Sequence, residues 1–418
     1  MFKIFFLIFF IIESLIAVDA EIDIVRKNNI IPKVNIVLTE NNIDNVLSDK
    51  IKKIIENDLA VSGHFSVAQS SIKHQNIDNK FDFISQESIK SDLILLVELK
   101  KSVNNSLIVD IVMVDVNTKT AKPKMTYTLS DLSRYPFLAH KIAIGINKES
   151  NAPSIDWMDR FVIFSKYISS KKSEIIVADY TLSYQKVVVS GGLNIFPKWA
   201  NKEQSSFYYT SYDALYPTLI KQNLYGKKSE NIIHSDGMLV CSDVSKDGSK
   251  LLLTMAPSGQ PDIYLYDLST NKTTRITKYS GIDVGGNFLD SESSIVFVSD
   301  RLGKPNIFSI NTQNNDIERL IFHGSNNSQA TTFNNYIVYS GKEVGNEFNL
   351  YLISTQNDSI KKLTNQGLNQ FPKFSIDGES LLFVKNYNGN SSLGIIRLNY
   401  NTSFLFPLKS GKIQSLDW

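Results

Sequence analysis

Ile295-Val296-Phe297-Val298-Ser299-Asp300-Arg301-Leu302-Gly303-Lys304-Pro305-Asn306-Ile307-Phe308 holds two short runs of β-branched and aromatic residues on either side of a Gly-Lys-Pro turn. Runs this short, closed by turn residues, read as strands and not as helix. The pattern recurs. Leu251-Leu252-Leu253 is followed, past Gly259-Gln260-Pro261, by Ile263-Tyr264; Ile337-Val338-Tyr339 precedes Leu350-Tyr351, and Leu381-Leu382-Phe383-Val384 precedes Ile395-Ile396. A third run shows as Arg275-Ile276-Thr277, Arg319-Leu320-Ile321 and Lys361-Lys362-Leu363-Thr364. Each unit opens on a mark, and the marks Trp157, Trp199, Val244, Phe288, Ala330, Phe374 and Trp418 are spaced 42, 45, 44, 42, 44 and 44 residues apart. With the mark itself, each interval carries four strands, the make-up of a propeller blade. The sequence therefore predicts an all-β six-bladed β-propeller over residues 159–418.

A ring of blades needs a latch, since its first and last sheets would otherwise expose unpaired edges. Residues 412–418 repeat the start of a blade with nothing after it, so they are predicted to supply the inner strand of the first blade, whose other strands begin at Phe161. Trp157 is then left for the linker or for packing between domains. Asp247-Gly248 and Asp377-Gly378 sit between strand signals, where Gly supplies the positive φ of a tight hairpin.

Ahead of the repeats the grammar changes. Lys3, the apolar run 4–12 and the small residues Val18 and Ala20 before Glu21 have the layout of a secretory signal peptide over residues 1–20. The run is too short to span a bilayer, so an exported protein without membrane insertion is expected. Residues 21–147 alternate strand-like pieces (34–38, 93–99, 107–116) with helix-like ones and are predicted to form a separate α/β domain. The first helix follows Asn45, with Val46, Leu47, Ile51, Ile54, Ile55 and Leu59 on one face and Lys50, Lys52, Lys53, Glu56 and Asp58 turned to water. A second covers 137–146. The run 107–116, interrupted by Asp110 and Asp115, reads as a central paired strand, and residues 148–158, with Pro153, read as the linker.

Composition removes several functions. With 44 basic and 42 acidic residues, a net charge of +2 and no long block of one sign, no nucleic-acid footprint is present. Cys241 is the only cysteine, so no internal disulfide forms, and its place beside a strand suggests an inert core thiol. A serine-peptidase propeller would need Gly-x-Ser-x-Gly, which does not occur. The histidines at 64, 74, 140, 234 and 323 make no His-Glu-x-x-His and no close pair, and His64 and His74 read as surface residues. Asp262, Asp267 and Asp300 recur at strand ends, where Asp is mostly structural. No catalytic residue, cofactor or metal is predicted; an exported propeller of another system, or a propeller-gated hydrolase component, are the alternatives to the reading that follows.

Ser299-Asp300-Arg301-Leu302-Gly303-Lys304-Pro305-Asn306-Ile307-Phe308, Ser245-Lys246-Asp247-Gly248-Ser249-Lys250-Leu251 and Asp262-Ile263-Tyr264-Leu265-Tyr266-Asp267-Leu268 resemble the blade phrases of the TolB family of the Tol-Pal system. The order of parts, from signal peptide through a short mature start and an α/β domain to a six-bladed ring with a C-terminal latch, resembles that family along the whole chain. The resemblance implies a non-enzymatic periplasmic scaffold, active as a monomer, that binds the lipoprotein Pal and the inner-membrane protein TolA. It further implies roles in outer-membrane integrity, envelope constriction at cell division and protein import, with other outer-membrane proteins as further partners. The TolA element maps to the mature start, residues 21–31, with Glu21, Ile22, Asp23, Ile24 and Val25 at its head; as a short apolar strand it could add to a partner's sheet edge. If that segment docked on the domain interface in one state only, TolA and Pal binding would be reciprocally coupled. Links from each fourth strand to the next blade's first strand all emerge on one face of a propeller, and loops of this kind collect binding residues. In the family this face receives Pal, which maps here to His234, Asp236, Tyr279, Asp283, His323, Asn326, Asn327 and Gln370. The family's usual histidine in the second of these links falls at Ser235, beside His234, and Gly285-Gly286 replaces larger polar residues, as for a co-varied Pal surface.

Overall fold

Six four-stranded antiparallel sheets follow an α/β domain in this computed structural model, which describes residues 31–39, 43–68, 90–226, 228–289, 291–342 and 345–418. The predicted signal peptide and mature start, residues 1–30, and His74 lie outside the described residues. Blades 2 to 6 are continuous in sequence and open on the inner strands Asn194–Trp199, Leu239–Val244, Asp283–Phe288, Asn326–Phe333 and Leu368–Phe374. Blade 1 is composite. Its outer three strands are Val162–Ser169, Lys172–Ala178 and Gln185–Val189, and the inner place is taken by Ile413–Asp417, paired antiparallel with Leu416 opposite Phe164.

The second strand of each blade is buried on both sides, which is why its sequence is a continuous apolar run without alternation. Leu251 and Leu253 pack with Tyr208 and Leu219 of blade 2, while Leu252 between them packs with Phe288 and Phe297 of blade 4. Side chains of one strand thus serve two interfaces by the period-2 rule, each fully buried leucine contributing about 1.5–3 kcal/mol. The inner strands share a second device. All six carry a β-bulge, between Ile195 and Lys198, Cys241 and Asp243, Val284 and Asn287, Ser328 and Thr331, Gln370 and Lys373, and Ile413 and Ser415. Bulges bend a strand and re-aim its side chains.

Beside the bulges stand Asp417, Lys198, Asp243, Asn287, Gln329 and Lys373, one from each blade in turn, and each reaches a neighbouring blade. Asp417 accepts from Lys198 at 3.1 Å and from the backbone N–H of Trp199 at 2.9 Å, and its other flank meets Lys373 at 3.6 Å. Lys198 also meets Asp243 at 3.1 Å, and Asp243 accepts from the Phe288 N–H at 3.0 Å. Asn287 donates to the Ala330 carbonyl at 3.1 Å, and Gln329 accepts from the Phe371 N–H at 3.0 Å. Burial alone would depress the Lys198 ammonium, yet Asp417 and Asp243 on either side push it up. The charged residue of the closing strand therefore fastens to both of its neighbours.

In the α/β domain, β1 (Lys33–Leu38) pairs in parallel with β2 (Ser66–Ala68) and β3 (Leu93–Lys101), and β4 (Leu107–Asp115) runs antiparallel to β3. β5 (Thr120–Ala121) and β6 (Met125–Leu129) both pair with β4, which makes β4 central, as its apolar run requires. Its interruption, Asp110, is buried and satisfied by Thr126 at 2.6 Å and Lys100 at 3.4 Å. Helices α1 (Asn45–Ser62) and α2 (Tyr135–Glu149) cover one sheet face, with Ile51, Ile55 and Leu59 of α1 and Leu138, Ile142 and Ile146 of α2 against Ile36, Leu95 and Val109. Asp44 caps α1 by accepting the Val46 N–H at 3.0 Å, and Gly63 ends it with φ 77°.

Two expectations about α1 need correction. Val46, at the capped first turn, is 57% exposed and off the apolar face, and Asp58, expected in water, is fully buried. The reason for the second is His140 of α2. Its Nδ1 lies 2.7 Å from Asp58 and its Nε2 lies 3.2 Å from Asp179, in the link between the third and fourth strands of blade 1. Tyr180 donates to the other Asp58 oxygen at 2.5 Å, and Asp179 accepts the Thr181 and Tyr184 N–H groups at 3.0 and 2.5 Å. Both imidazole nitrogens face carboxylates, so both carry protons. Burial would lower this imidazole, but Asp58 and Asp179 outweigh it and raise it to about 10.

Around this ion cluster the seam between domain and ring is aromatic and apolar. Trp157, in a short 3-10 turn (Asp156–Asp159), packs edge-on to Trp418 and Tyr180 at ring separations of 5.4 and 5.3 Å. Phe137 of α2 meets Phe161 and Tyr184 at 4.9 and 5.3 Å. Gly63 and His64 lie against Tyr400 of blade 6, and His64 bonds Asn147 at 2.6 Å. His64 is thus a seam residue and not the surface residue expected. The domain sits over blades 6 and 1, on the face where third and fourth strands are joined.

Candidate partner-binding surface

Because strands alternate in direction, the turns between second and third strands share a face with the links from each fourth strand to the next blade. That face is the one turned away from the α/β domain. Its geometry rests on Asp residues that fix the links. Asp262, fully buried, pairs with Arg275 and accepts the Tyr279 N–H at 3.1 Å; Asp300 accepts the Ile282 N–H at 2.8 Å. Asp267, at the opposite strand end, caps its turn through the Ser269 N–H at 2.9 Å. All three are structural, as their turn positions suggested. Gly259 and Gly303, with φ of 86° and 90°, make the turns between second and third strands in blades 3 and 4.

The eight residues assigned to this face from the sequence fall into two groups. His234 and Asp236 are exposed, and the His234 ring stacks on Tyr216 at 5.8 Å. Tyr279, Asn326 and Gln370 are half-buried, with the Arg301 guanidinium 5.3 Å over the Tyr279 ring. His323 is half-buried between the rings of Tyr339 and Tyr351 and hydrogen-bonds the Tyr339 hydroxyl. Asp283 and Asn327 look inward. Asp283 is fully buried and holds Arg301 through both carboxylate oxygens at 3.1 and 3.0 Å; Asn327 is 1% exposed and donates to the His323 carbonyl at 2.8 Å and to Asn306 at 3.1 Å. These two shape the links and keep their polar atoms buried, unlike His234 and Asp236.

What the sequence reading missed on this face is apolar. Leu215 is 86% exposed, Phe322 78% and Leu302 62%, with Tyr216, Met238 and Ile282 also exposed. They follow one another around blades 2 to 4: Met238 abuts the blade 3 turn through its carbonyl, which accepts the Ala256 N–H at 2.9 Å, and Ile282 is tied to Asp300 of blade 4. Large apolar side chains grouped on exposed turns mark an interaction surface. Their signal is present in sequence as large apolar residues among turn residues: Leu215 and Leu302 in turns between second and third strands, which alternation of strand direction brings to this face, and Phe322, Met238 and Ile282 in the links themselves.

Nothing in the site is arranged for metal chemistry: among the described residues no group of three or more His, Cys, Asp or Glu side chains could hold a metal ion. Cys241 is buried, and burial pushes its thiol well up. No described helix is long and apolar enough to cross a membrane.

Residues 160–418 match the model of the TolB beta propeller domain, and residues 20–121 match that of the TolB amino-terminal domain. The chain is 45% identical over 415 residues to the Tol-Pal system protein TolB of Wolinella succinogenes, covering 97% of this chain and 98% of the relative. It is 46% identical over 417 residues to that of Campylobacter jejuni, covering 99% and 98%. Among solved structures, TolB from Acinetobacter baumannii superposes with a TM-score of 0.76 at 22% identity, over 93% of this chain and 97% of that one, which shows the shared fold. No enzyme class attaches to these names. On the strength of its propeller, its amino-terminal domain and its near full-length relatives, this chain belongs to the TolB family of the Tol-Pal system.

Proposed function

We propose that this protein is a periplasmic, non-enzymatic scaffold of the Tol-Pal system that binds Pal on the loop face of its ring and TolA through its mature N-terminal segment. In this role it supports outer-membrane integrity and envelope constriction, with protein import as a further task. The observation that carries the reading is a loop face left open by the docking of the α/β domain on the opposite side, with six large apolar side chains exposed over its blades 2 to 4. A protein partner would desolvate them, and such buried anchors supply most of the affinity of an interface. His234 and Asp236 then serve as polar contacts at its rim, while Asp283, Asn327 and His323 hold the links in place. The TolA part rests on Glu21, Ile22, Asp23, Ile24 and Val25, read from sequence alone. Capture of the exported protein from envelope extract tests both parts. Pal and TolA are expected in the eluate, TolA disappearing when residues 21–31 are deleted; absence of Pal from the wild-type eluate would overturn the reading.

A further inference from the structure

We propose that the loop face carries a second, basic surface over blades 6 and 1 that recruits an acidic patch of the protein partner before the apolar arc on blades 2 to 4 engages. The inference rests on the Pal-binding reading above and adds the chemistry of the partner. Lys171 and Lys172 sit at the turn between the second and third strands of blade 1, and Lys409 and Lys412 sit in the link that leads into the closing strand. The two loops are neighbours. A Cβ on Gly411 would stand 3.1 Å from the Lys166 side chain and 3.6 Å from the Tyr167 carbonyl, and Leu408 donates to the Ser391 carbonyl at 2.9 Å beside the blade 6 turn.

All four lysines are exposed, and none forms an ion pair among the described residues. On blade 1 itself Glu174 is balanced by Lys166 at 3.4 Å, while Asp213, on the blade 2 side, accepts the Leu193 N–H at 2.9 Å and keeps its charge. A chain whose total charge is only +2 thus gathers four lysines without an ion-pair partner among the described residues in two adjacent loops. Such a cluster at the edge of an interface acts on encounter more than on residence: it raises the association rate and makes it salt-dependent. The apolar arc, desolvated on contact, governs dissociation. An acidic protein domain fits both halves. An anionic membrane fits only the lysines, because Asp213 and Asp236 stand among the apolar residues and would face the same negative surface.

The test uses the full mature protein and the purified soluble domain of its cognate Pal, with association and dissociation followed at about 0.02 and 0.2 M salt, where the screening length falls several-fold. The quadruple variant K171E/K172E/K409E/K412E is expected to associate about 10-fold more slowly at low salt, to lose most of the salt dependence and to keep the dissociation rate within about 2-fold. The double variant L302A/F322A is expected to do the reverse, dissociating faster with little change in association. If wild-type protein does not bind Pal, the reading of function fails. If wild-type protein binds and the lysine variant associates at the wild-type rate with the same salt dependence, the present inference is overturned while that reading stands. Binding of wild-type protein to phosphatidylglycerol vesicles that the lysine variant loses, with Pal kinetics unaltered, would also overturn it, in favour of a membrane.

Discussion

Replacing His140 with Leu removes the one cation shared by Asp58 of α1 and Asp179 of blade 1, both fully buried, and tests whether an ion cluster joins the two domains. Each carboxylate keeps other donors, Tyr180 for Asp58 and the Thr181 and Tyr184 N–H groups for Asp179. The cost should therefore lie near the lower end for a broken buried pair, about 3 kcal/mol. A second route gives a similar figure. With the imidazole raised to about 10, roughly three pH units separate it from neutrality, and at about 1.4 kcal/mol per unit this amounts to ~4 kcal/mol at pH 7. The sign follows from the direction of the shift. A folded-state value above the ordinary 6.5 means that the contribution is complete below about pH 6.5 and is lost as pH rises through about 10, not in acid. Burial pushes Tyr180 well above its ordinary value, so its phenol stays protonated through this window. Urea unfolding followed by tryptophan fluorescence reports on the seam, because Trp157 and Trp418 pack there edge to face. The difference between wild type and H140L should be about 3–4 kcal/mol at pH 7 and should shrink to ~1 kcal/mol or less near pH 10.5. An equal difference at the two pH values would refute the ionic account, leaving only a packing role for the ring.

Two further substitutions probe how the ring and the seam are held. Asp417→Ala removes the acceptor of Lys198, Lys373 and the Trp199 N–H at once and should cost about 2–4 kcal/mol in thermal or urea unfolding, whereas Asp417→Asn keeps an acceptor for Trp199 and should cost less but still measurably; an Asn variant as stable as wild type would mean that the ionic contacts of the closing strand contribute nothing. Gly63→Ala should cost more than Gly259→Ala, since both have positive φ but a Cβ at 63 would meet Tyr400 at 2.7 Å and one at 259 meets nothing within 4 Å. The conformational part alone is about 1 kcal/mol, so a matched loss in the two variants would place Tyr400 free of α1.

The ring was legible because its repeat is written twice, in spacing and in strand grammar. Leu251-Leu252-Leu253 reads as a strand buried on both sides for the same reason that it is one: neighbouring blades cover each face. The latch was legible from the register of Trp418. The seam was not, since an interface between domains has no period. His140 reads as one polar residue on an amphipathic helix, and its two carboxylates are 82 and 39 residues away in sequence. Asp58 was misplaced for that reason. At the loop face, residue type alone could not separate Asp283, locked on Arg301, from Asp236, exposed in its link. The ring of Asp417, Lys198 and Lys373 also escaped notice, because the three belong to blades that become neighbours only when the circle closes.

Hydrogen exchange of the full mature protein with and without the soluble domain of its cognate Pal tests the central claim most directly. The account predicts slowed exchange in the links 235–238, 276–282 and 320–325 and in the turns of blades 2 to 4 around Leu215 and Leu302, with the turn at Asp247-Gly248 on the domain side unchanged. Slowed exchange confined to that side, or none anywhere at saturating Pal, would contradict it.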